Sequence, residues 1–215
     1  MERDKKECIL RAAVRAFERF GFKKASVDEI ARDAGVAKGT VYLAAESKED
    51  LFYQVLHREV RAWVADLSTL IDPRKQADQL LMEVAQASLR RVQAKPLVRD
   101  LLLGVVRSQL PGWAERLEEL RGLGRTNVEE ILRLGIKQGV FKPGLDVPEV
   151  ATVLQDLQVV GVLRSAEPGL DPARLRKLTM VALDLVLNGL RDRDRQRASA
   201  GPDQADVTRV APPRV

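Results

Sequence analysis

Apolar residues recur along most of the chain at the spacing of three and four that is typical of α-helices. No long run alternates apolar with polar residues, as a half-buried strand does. In the first helix the apolar residues fall on an arc of about 140°, and Gly21 follows them as a stop signal. These residues are Ile9, Leu10, Ala13, Val14, Phe17 and Phe20. The pattern predicts an all-α fold.

Two capping signatures organise the rest of the N-terminal quarter. Ser26 and Glu29 form a capping box that opens a short helix ending near Gly35. A third, equally short helix is predicted at about 37–43. Ser47 then opens a fourth helix, at about 47–70, which must end before Pro73.

Long helices are predicted beyond Pro73. One spans about 74–93 and another about 97–109. Pro111 opens a third, which Gly122 and Gly124 are expected to interrupt.

Two further capping signals mark the last helices. Asp146 caps a helix that runs to about residue 164, and Asp171 caps one that runs to about 189. Pro172 occupies the first position of the last helix. The predicted organisation is a helix-turn-helix domain at 1–50, a helical regulatory and dimerisation domain at 51–190, and a disordered tail at 191–215.

Composition excludes several classes of protein. The 215 residues contain one cysteine, Cys8, and one histidine, His57, so neither an intrachain disulfide nor a Cys/His zinc site can form. No stretch is long and apolar enough to cross a membrane, and the charged start does not resemble a signal peptide. We therefore expect a cytoplasmic protein without cofactor or metal. The net charge of +5 is spread along the chain, so it is weak evidence for nucleic-acid binding.

The most informative stretch is 26–50, where two short helices meet at a tight turn. Gly35 permits the turn, and Val36 fills the gap between the helices. The second helix begins at Lys38, and its N-terminal residues can enter the major groove of DNA. Lysine can donate to guanine, while Thr40 and the small residues around it allow close approach and contact with a thymine methyl.

Residues 9–56 resemble the N-terminal domain of the TetR family of bacterial transcriptional regulators. The matching segments are Ile9-Leu10-x-Ala12-Ala13, Phe17-x-x-x-Gly21-Phe22, Ser26-Val27-x-x-Ile30-Ala31, Ala34-Gly35-Val36-Ala37-Lys38-Gly39-Thr40-Val41-Tyr42 and Ser47-Lys48-x-x-Leu51. The resemblance implies that the third helix reads the major groove, that Thr40 and Lys48 contact phosphate, and that Tyr42 packs on the DNA backbone. The predicted DNA-binding residues are Ser26, Ala37, Lys38, Gly39, Thr40, Tyr42 and Lys48.

The chain departs from the family pattern directly after this motif. Ala44 and Ala45 stand where the family usually has an aromatic residue or histidine and then a phenylalanine. We expect the usual contact at position 44 to be lost, and the fourth helix to pack more loosely on the third.

The two C-terminal helices carry more apolar surface than one domain needs. Between Leu175 and Leu190 the apolar residues span about 240°, whereas a helix packed only on its own domain needs about 100–140°. A deeply central helix would explain this, but a homodimer interface explains it better. The resemblance agrees, because TetR-like proteins pair these helices in a four-helix bundle.

The middle helices offer either ordinary core or an apolar ligand cavity; the candidate residues are Leu80, Leu81, Val84, Leu101, Leu102, Val105, Val106, Leu110, Trp113 and Leu117. No individual ligand contact is predicted. The favoured function is a repressor that binds a palindromic operator in double-stranded DNA as a homodimer and responds to a small apolar effector. A regulator controlled by a protein partner is the alternative. An α-helical enzyme or carrier is a third hypothesis, but no catalytic triad, acid pair or cofactor loop supports it.

Overall fold

The computed structural model describes residues 2–165 and 171–192, and these ranges are helical with no β-strand, as predicted. One isolated bridge pairs Phe141 with Arg191. The ten α-helices of these ranges are α1 Glu2–Lys24, α2 Val27–Asp33, α3 Lys38–Ala44, α4 Lys48–Ser68, α5 Ala77–Arg91, α6 Pro96–Leu102, α7 Val105–Gln109, α8 Ala114–Gln138, α9 Val147–Ser165 and α10 Pro172–Leu190. Two short 3-10 helices lie at Val92–Ala94 and Pro111–Trp113. None of them combines the length and apolarity needed to span a membrane.

The N-terminal stop and caps lie where the sequence predicts them. Gly21 adopts a left-handed φ of 70° and breaks the helical geometry of α1. The Ser47 hydroxyl accepts the amide hydrogen of Asp50 at 3.0 Å and so caps α4. The Ser26 hydroxyl caps α2, but it accepts from the amide of Asp28 instead of Glu29, at 3.2 Å.

The middle helices differ from the prediction in two ways. The helix expected at 97–109 is broken at Gly104, whose φ of 73° is left-handed and separates α6 from α7. Conversely, α8 continues unbroken through Gly122 and Gly124. Glycine weakens a helix by about 1 kcal/mol, but tertiary packing outweighs this at Gly124. A Cβ there would lie 3.0 Å from the side-chain nitrogen of Gln155, so the glycine lets α9 approach closely.

The C-terminal boundary also differs slightly from the prediction. The Asp171 carboxylate caps α10 as expected, accepting from the amides of Ala173 and Arg174. Arg191, the first residue of the predicted disordered tail, is instead held by an ion pair with Asp78 at 2.7 Å. The rest of that tail, 193–215, lies outside the described residues.

Two apolar clusters form the core. The first joins α1–α4 to α6 and the start of α8, and so crosses the domain boundary predicted at residue 50. The second joins α5, the end of α8, α9 and α10. The residues proposed to line one apolar cavity are divided between the two clusters: Leu80, Leu81 and Val84 belong to the second, and Leu101, Leu102, Val106, Trp113 and Leu117 to the first. Of the two alternatives left open for these residues, ordinary core therefore describes most of them, although a cavity of about 180 Å³ remains beside Leu101 and Leu117.

Candidate nucleic-acid interface

A tight turn sets α3 against α2. Gly35 has a left-handed φ of 67°, a backbone conformation in which any residue with a Cβ would be strained. The amide of Val36 donates to the Ala31 carbonyl at 3.0 Å and closes the turn. Val41 of α3 is buried against this corner. The opposite side of α3 must therefore face outward.

The outward face of α3 consists of Gly39, Tyr42 and Leu43, which share one side of the helix because they are three and four positions apart. Tyr42 is 46% exposed and Leu43 is 89% exposed. A Cβ at Gly39 would meet nothing within 4 Å. This face can lie close against another molecule without rearranging the protein.

Leu43 is the one residue of this face that the sequence analysis did not select. Leucine is usually a core residue, and the sequence analysis names position 43 only as the end of the third predicted helix. The helical register would have identified it, because Leu43 follows Gly39 by four positions and the buried Val41 by two. Its apolar side chain has no hydrogen-bonding group to offer a DNA base.

Lys38 is not a free cation. Its ammonium group lies 2.9 Å from a carboxylate oxygen of Asp28, and both side chains are more than half exposed. The hydrogen bond to Asp28 raises the pKa of Lys38 above its ordinary value. Water screens the attraction between exposed ion-pair partners, so Lys38 can exchange this partner for DNA at little cost.

Lys48 is held more firmly, at the start of α4. Its ammonium group donates to the Lys23 carbonyl at 3.2 Å and lies 4.7 Å from the centre of the Phe22 ring. These contacts bring Lys48 beside the exposed side chains of Lys23 and Lys24 at the end of α1. The three lysines form a basic edge next to the N-terminus of α2.

The remaining predicted contacts lie around the same surface. Ser26 caps α2 through its oxygen, so its hydroxyl hydrogen can still be donated. Ala37 is the exposed N-cap of α3, without a side-chain capping bond. Thr40 is half-buried, and its amide donates to the Ala37 carbonyl at 2.9 Å. The seven predicted residues therefore lie at the start of α2, on and just before α3, and at the start of α4.

The two alanines after the motif, Ala44 and Ala45, lie where the end of α3 meets α4. Ala45 is buried. The Ala44 carbonyl accepts a hydrogen bond from the Gln54 amide at 3.1 Å, and the same amide reaches Asp50 at 3.0 Å. A polar contact thus joins the end of α3 to α4 at this position. Whether a DNA contact is lost at position 44 stays a prediction.

Aromatic residues connect this surface to the rest of the chain. Phe52 of α4 contacts Phe17 with ring centres 4.7 Å apart, and Trp113 with ring centres 6.0 Å apart. The Tyr53 hydroxyl donates to the Glu119 carboxylate at 2.5 Å. Burial of the hydroxyl is the main cause, and this hydrogen bond the second, that raises the pKa of Tyr53 to about 12. Helix α8 and the turn that precedes it are therefore in direct contact with α4.

No group of three His, Cys, Asp or Glu side chains is arranged to hold a metal ion within residues 2–165 and 171–192. The described site thus consists of a helix face, a lysine-rich edge and backbone turns. A helix face beside a row of lysines suits the binding of a polyanion, because lysines contact phosphate groups.

The N-terminal region matches a known family. The family model described as bacterial regulatory proteins, tetR family, matches residues 9–55. The fatty acid metabolism regulator protein of Bacillus subtilis is 30% identical over 145 residues, which cover 65% of this chain and 72% of that protein. A local match to another Bacillus subtilis regulator, 42% identical over 55 residues, covers only 29% of that relative.

Two longer matches extend over most of the chain. The HTH-type transcriptional repressor KstR2 of Mycolicibacterium smegmatis is 28% identical over 187 residues, covering 85% of this chain and 88% of the repressor. The solved structure of the transcriptional regulator FadR from Bacillus subtilis in complex with stearoyl-CoA aligns with a TM-score of 0.67 at 22% identity. It covers 86% of this chain and 99% of that one, and at this identity it shows a shared fold.

Proposed function

The chain belongs to the TetR family of bacterial transcriptional regulators, and from this premise we propose that it represses transcription by binding a palindromic operator as a homodimer. The observation that carries the proposal is the open face of α3, which the Gly35 turn presents beside the lysine-rich edge. A helix of this kind enters the major groove, and lysines on either side hold the phosphates. Because DNA is the target, the proposal places the protein in the cytoplasm.

We assign a type of DNA contact to each side chain from its surroundings in the structure. Lys48 is fixed at the edge of the surface, so we assign it to phosphate binding together with Ser26 and Thr40. Lys38 lies at the start of the recognition helix and is assigned to base contact once it leaves Asp28. Ala37 and Gly39 allow close approach. Tyr42 is assigned to the DNA backbone.

Exposed apolar residues on the last two helices support the homodimer. Val153 and Val160 of α9 are each 51% exposed, while Val181 and Leu185 of α10 are 52% and 68% exposed. Isolated apolar side chains on a surface are ordinary, but a contiguous patch of them indicates an interface. Two copies of this face would form the four-helix bundle expected of the family. The pairing would also fix the distance between the two recognition helices, which a palindromic operator requires.

We further propose that a small molecule with a large apolar part controls DNA binding. A structural neighbour of this chain was solved with stearoyl-CoA, and a relative is a fatty acid metabolism regulator. The direct contact between α4 and α8 through Tyr53 and Glu119 supplies a route from the regulatory helices to the DNA-binding surface.

Selection of bound sequences from random double-stranded DNA tests the DNA-binding proposal. We expect an inverted repeat, whose affinity for the protein falls steeply with salt. Gly39→Glu places a carboxylate in open space on the groove face and should abolish binding without disturbing the fold. Gly112→Glu, another exposed glycine with open space around it, is the matched control and should bind normally. Enrichment of no sequence, or equal binding by Gly39→Glu, would refute the proposal.

A further inference from the structure

A cavity of about 570 Å³ lies between α5 and α10, where Leu89 packs against the first core cluster and Met180 against the second. This volume is within the range of pockets that bind small molecules, about 300–1,000 Å³. Leu89, Leu175 and Met180 supply its apolar wall. Helix α9 contributes Gly161, where a Cβ would lie 3.0 Å from Leu89, so the absent side chain lets α9 close one side of the cavity.

Three cations surround the opening of this cavity. Arg90 comes from α5, and Arg176 and Lys177 come from α10; all three are exposed. Within the described part of the chain, none of the three takes part in an ion pair, and no carboxylate lines the cavity. The neighbouring Arg91 is different, because it binds Asp66 at 2.9 Å. Three like charges with no counter-ion among the described residues, beside an apolar cavity, attract an anion.

We propose that this cavity binds an amphipathic anion, with the apolar part against Leu89, Leu175 and Met180 and a carboxylate or phosphate on Arg90, Arg176 and Lys177. Guanidinium groups bind these anions through paired hydrogen bonds, which makes them selective for planar and tetrahedral oxyanions. A neutral apolar molecule of equal size would leave the three charges uncompensated. The ligand proposed here therefore carries an anionic group in addition to the apolar part that the sequence alone suggested.

The position of the cavity on α10 connects it to the proposed dimer. Arg176 and Met180 lie on one side of α10, whereas the exposed Leu178, Val181 and Leu185 lie about 150° around the helix axis. A ligand between α5 and α10 would press on one side of α10, while the opposite side of the same helix makes the proposed dimer contact. This regulatory consequence rests on the proposed function, but binding in the cavity does not.

Isothermal titration of the full chain with decyl phosphate, decanoate, 1-decanol and decanoyl-CoA tests the ligand class. We expect both simple anions to bind at least about tenfold more tightly than the alcohol, the scale of one or two charge-assisted hydrogen bonds. Comparison of decanoate with decanoyl-CoA tells whether the anionic group is a free acid or the phosphates of a carrier. Equal binding of decyl phosphate and 1-decanol, or no binding of any probe, would overturn the proposal.

Two variants separate the parts of the site. The double variant Arg90→Gln with Arg176→Gln alters exposed side chains only, and it should reduce the preference for anions to what Lys177 alone supplies while leaving 1-decanol binding unchanged. Met180→Trp should fill the apolar part and weaken every probe at least about tenfold. Lys137→Gln, an exposed cation at the end of α8, is the matched control. An anion preference of undiminished size in the double variant would refute the assignment.

The operator-binding assay, repeated with saturating decyl phosphate, tests the consequence for regulation. A change in operator affinity in wild type, absent in the double variant, would support control through this cavity. Ligand binding without any change in operator affinity would leave the site standing and refute its regulatory role. If the chain bound no DNA at all, the proposed function would fail, whereas the titration results would still decide the ligand site.

Discussion

Leu185→Glu should split the proposed homodimer without unfolding the protomer. Leu185 is 68% exposed on α10 within a single chain, so a carboxylate there remains in water as long as the chain is alone. In the proposed four-helix bundle the same carboxylate would be buried against apolar residues of the second copy. Leu183, two positions earlier, is unsuitable for this test because it is only 7% exposed and belongs to the second core cluster.

The size of the effect follows from the exposed area. Full burial of a leucine side chain contributes about 1.5–3 kcal/mol, so burial of the 68% that is exposed contributes about 1–2 kcal/mol. A symmetric dimer contains the residue twice, which gives about 2–4 kcal/mol. This corresponds to a dissociation constant about 30- to 700-fold higher. Two buried carboxylates without partners add several kcal/mol more.

Sedimentation velocity over a concentration series measures this change directly. Wild type should sediment as a dimer at micromolar concentration and Leu185→Glu as a monomer, with the same thermal unfolding of the protomer apart from the lost dimer contribution. Leu43→Glu is the matched control, because it makes the same substitution at an exposed leucine on α3. A Leu185→Glu protein that stays dimeric, or a wild type that sediments as a monomer, would show that this face is not the interface.

Four further substitutions test the DNA surface and the core. Lys38→Ala should change which sequences are selected from random DNA. Lys48→Ala should weaken binding to all sequences alike, and it should reduce the slope of log affinity against log salt concentration by about one, the value for one lost phosphate contact. Identical, sequence-independent losses from both substitutions would contradict the assignment of Lys38 to base contact. Gly135→Ala should lower the free energy of unfolding measured by urea titration, by about 1–3 kcal/mol, because its Cβ would overlap the Phe141 ring. Gly122→Ala, in the same helix, should instead stabilise the chain by up to about 1 kcal/mol, because the nearest atom to its Cβ is the movable end of Arg125 at 3.5 Å; equal effects of the two substitutions would refute the packing argument.

The N-terminal surface was largely predictable because its signals are local. A capping hydroxyl acts within one turn of its own residue, and a left-handed glycine is required by the turn that contains it. Ser47 and Gly35 are therefore found where the sequence places them. The exposed Leu43 was predictable in principle from helical register, but its residue type suggested core. The ion pair of Lys38 with Asp28 joins residues ten positions apart, and residue spacing alone does not show it.

The helical fold, the turn at Gly35 and the chemistry of a DNA-reading helix follow from the sequence by itself, because each depends on residues within a few positions of one another. The continuity of α8, the division of the apolar residues into two clusters and the cavity beside α10 were decided only by the tertiary structure. At Gly124 a long-range contact with Gln155 outweighed a local preference for a break. Arg90 and Arg176 are 86 positions apart, and only the packing of α5 against α10 places their charges around one cavity.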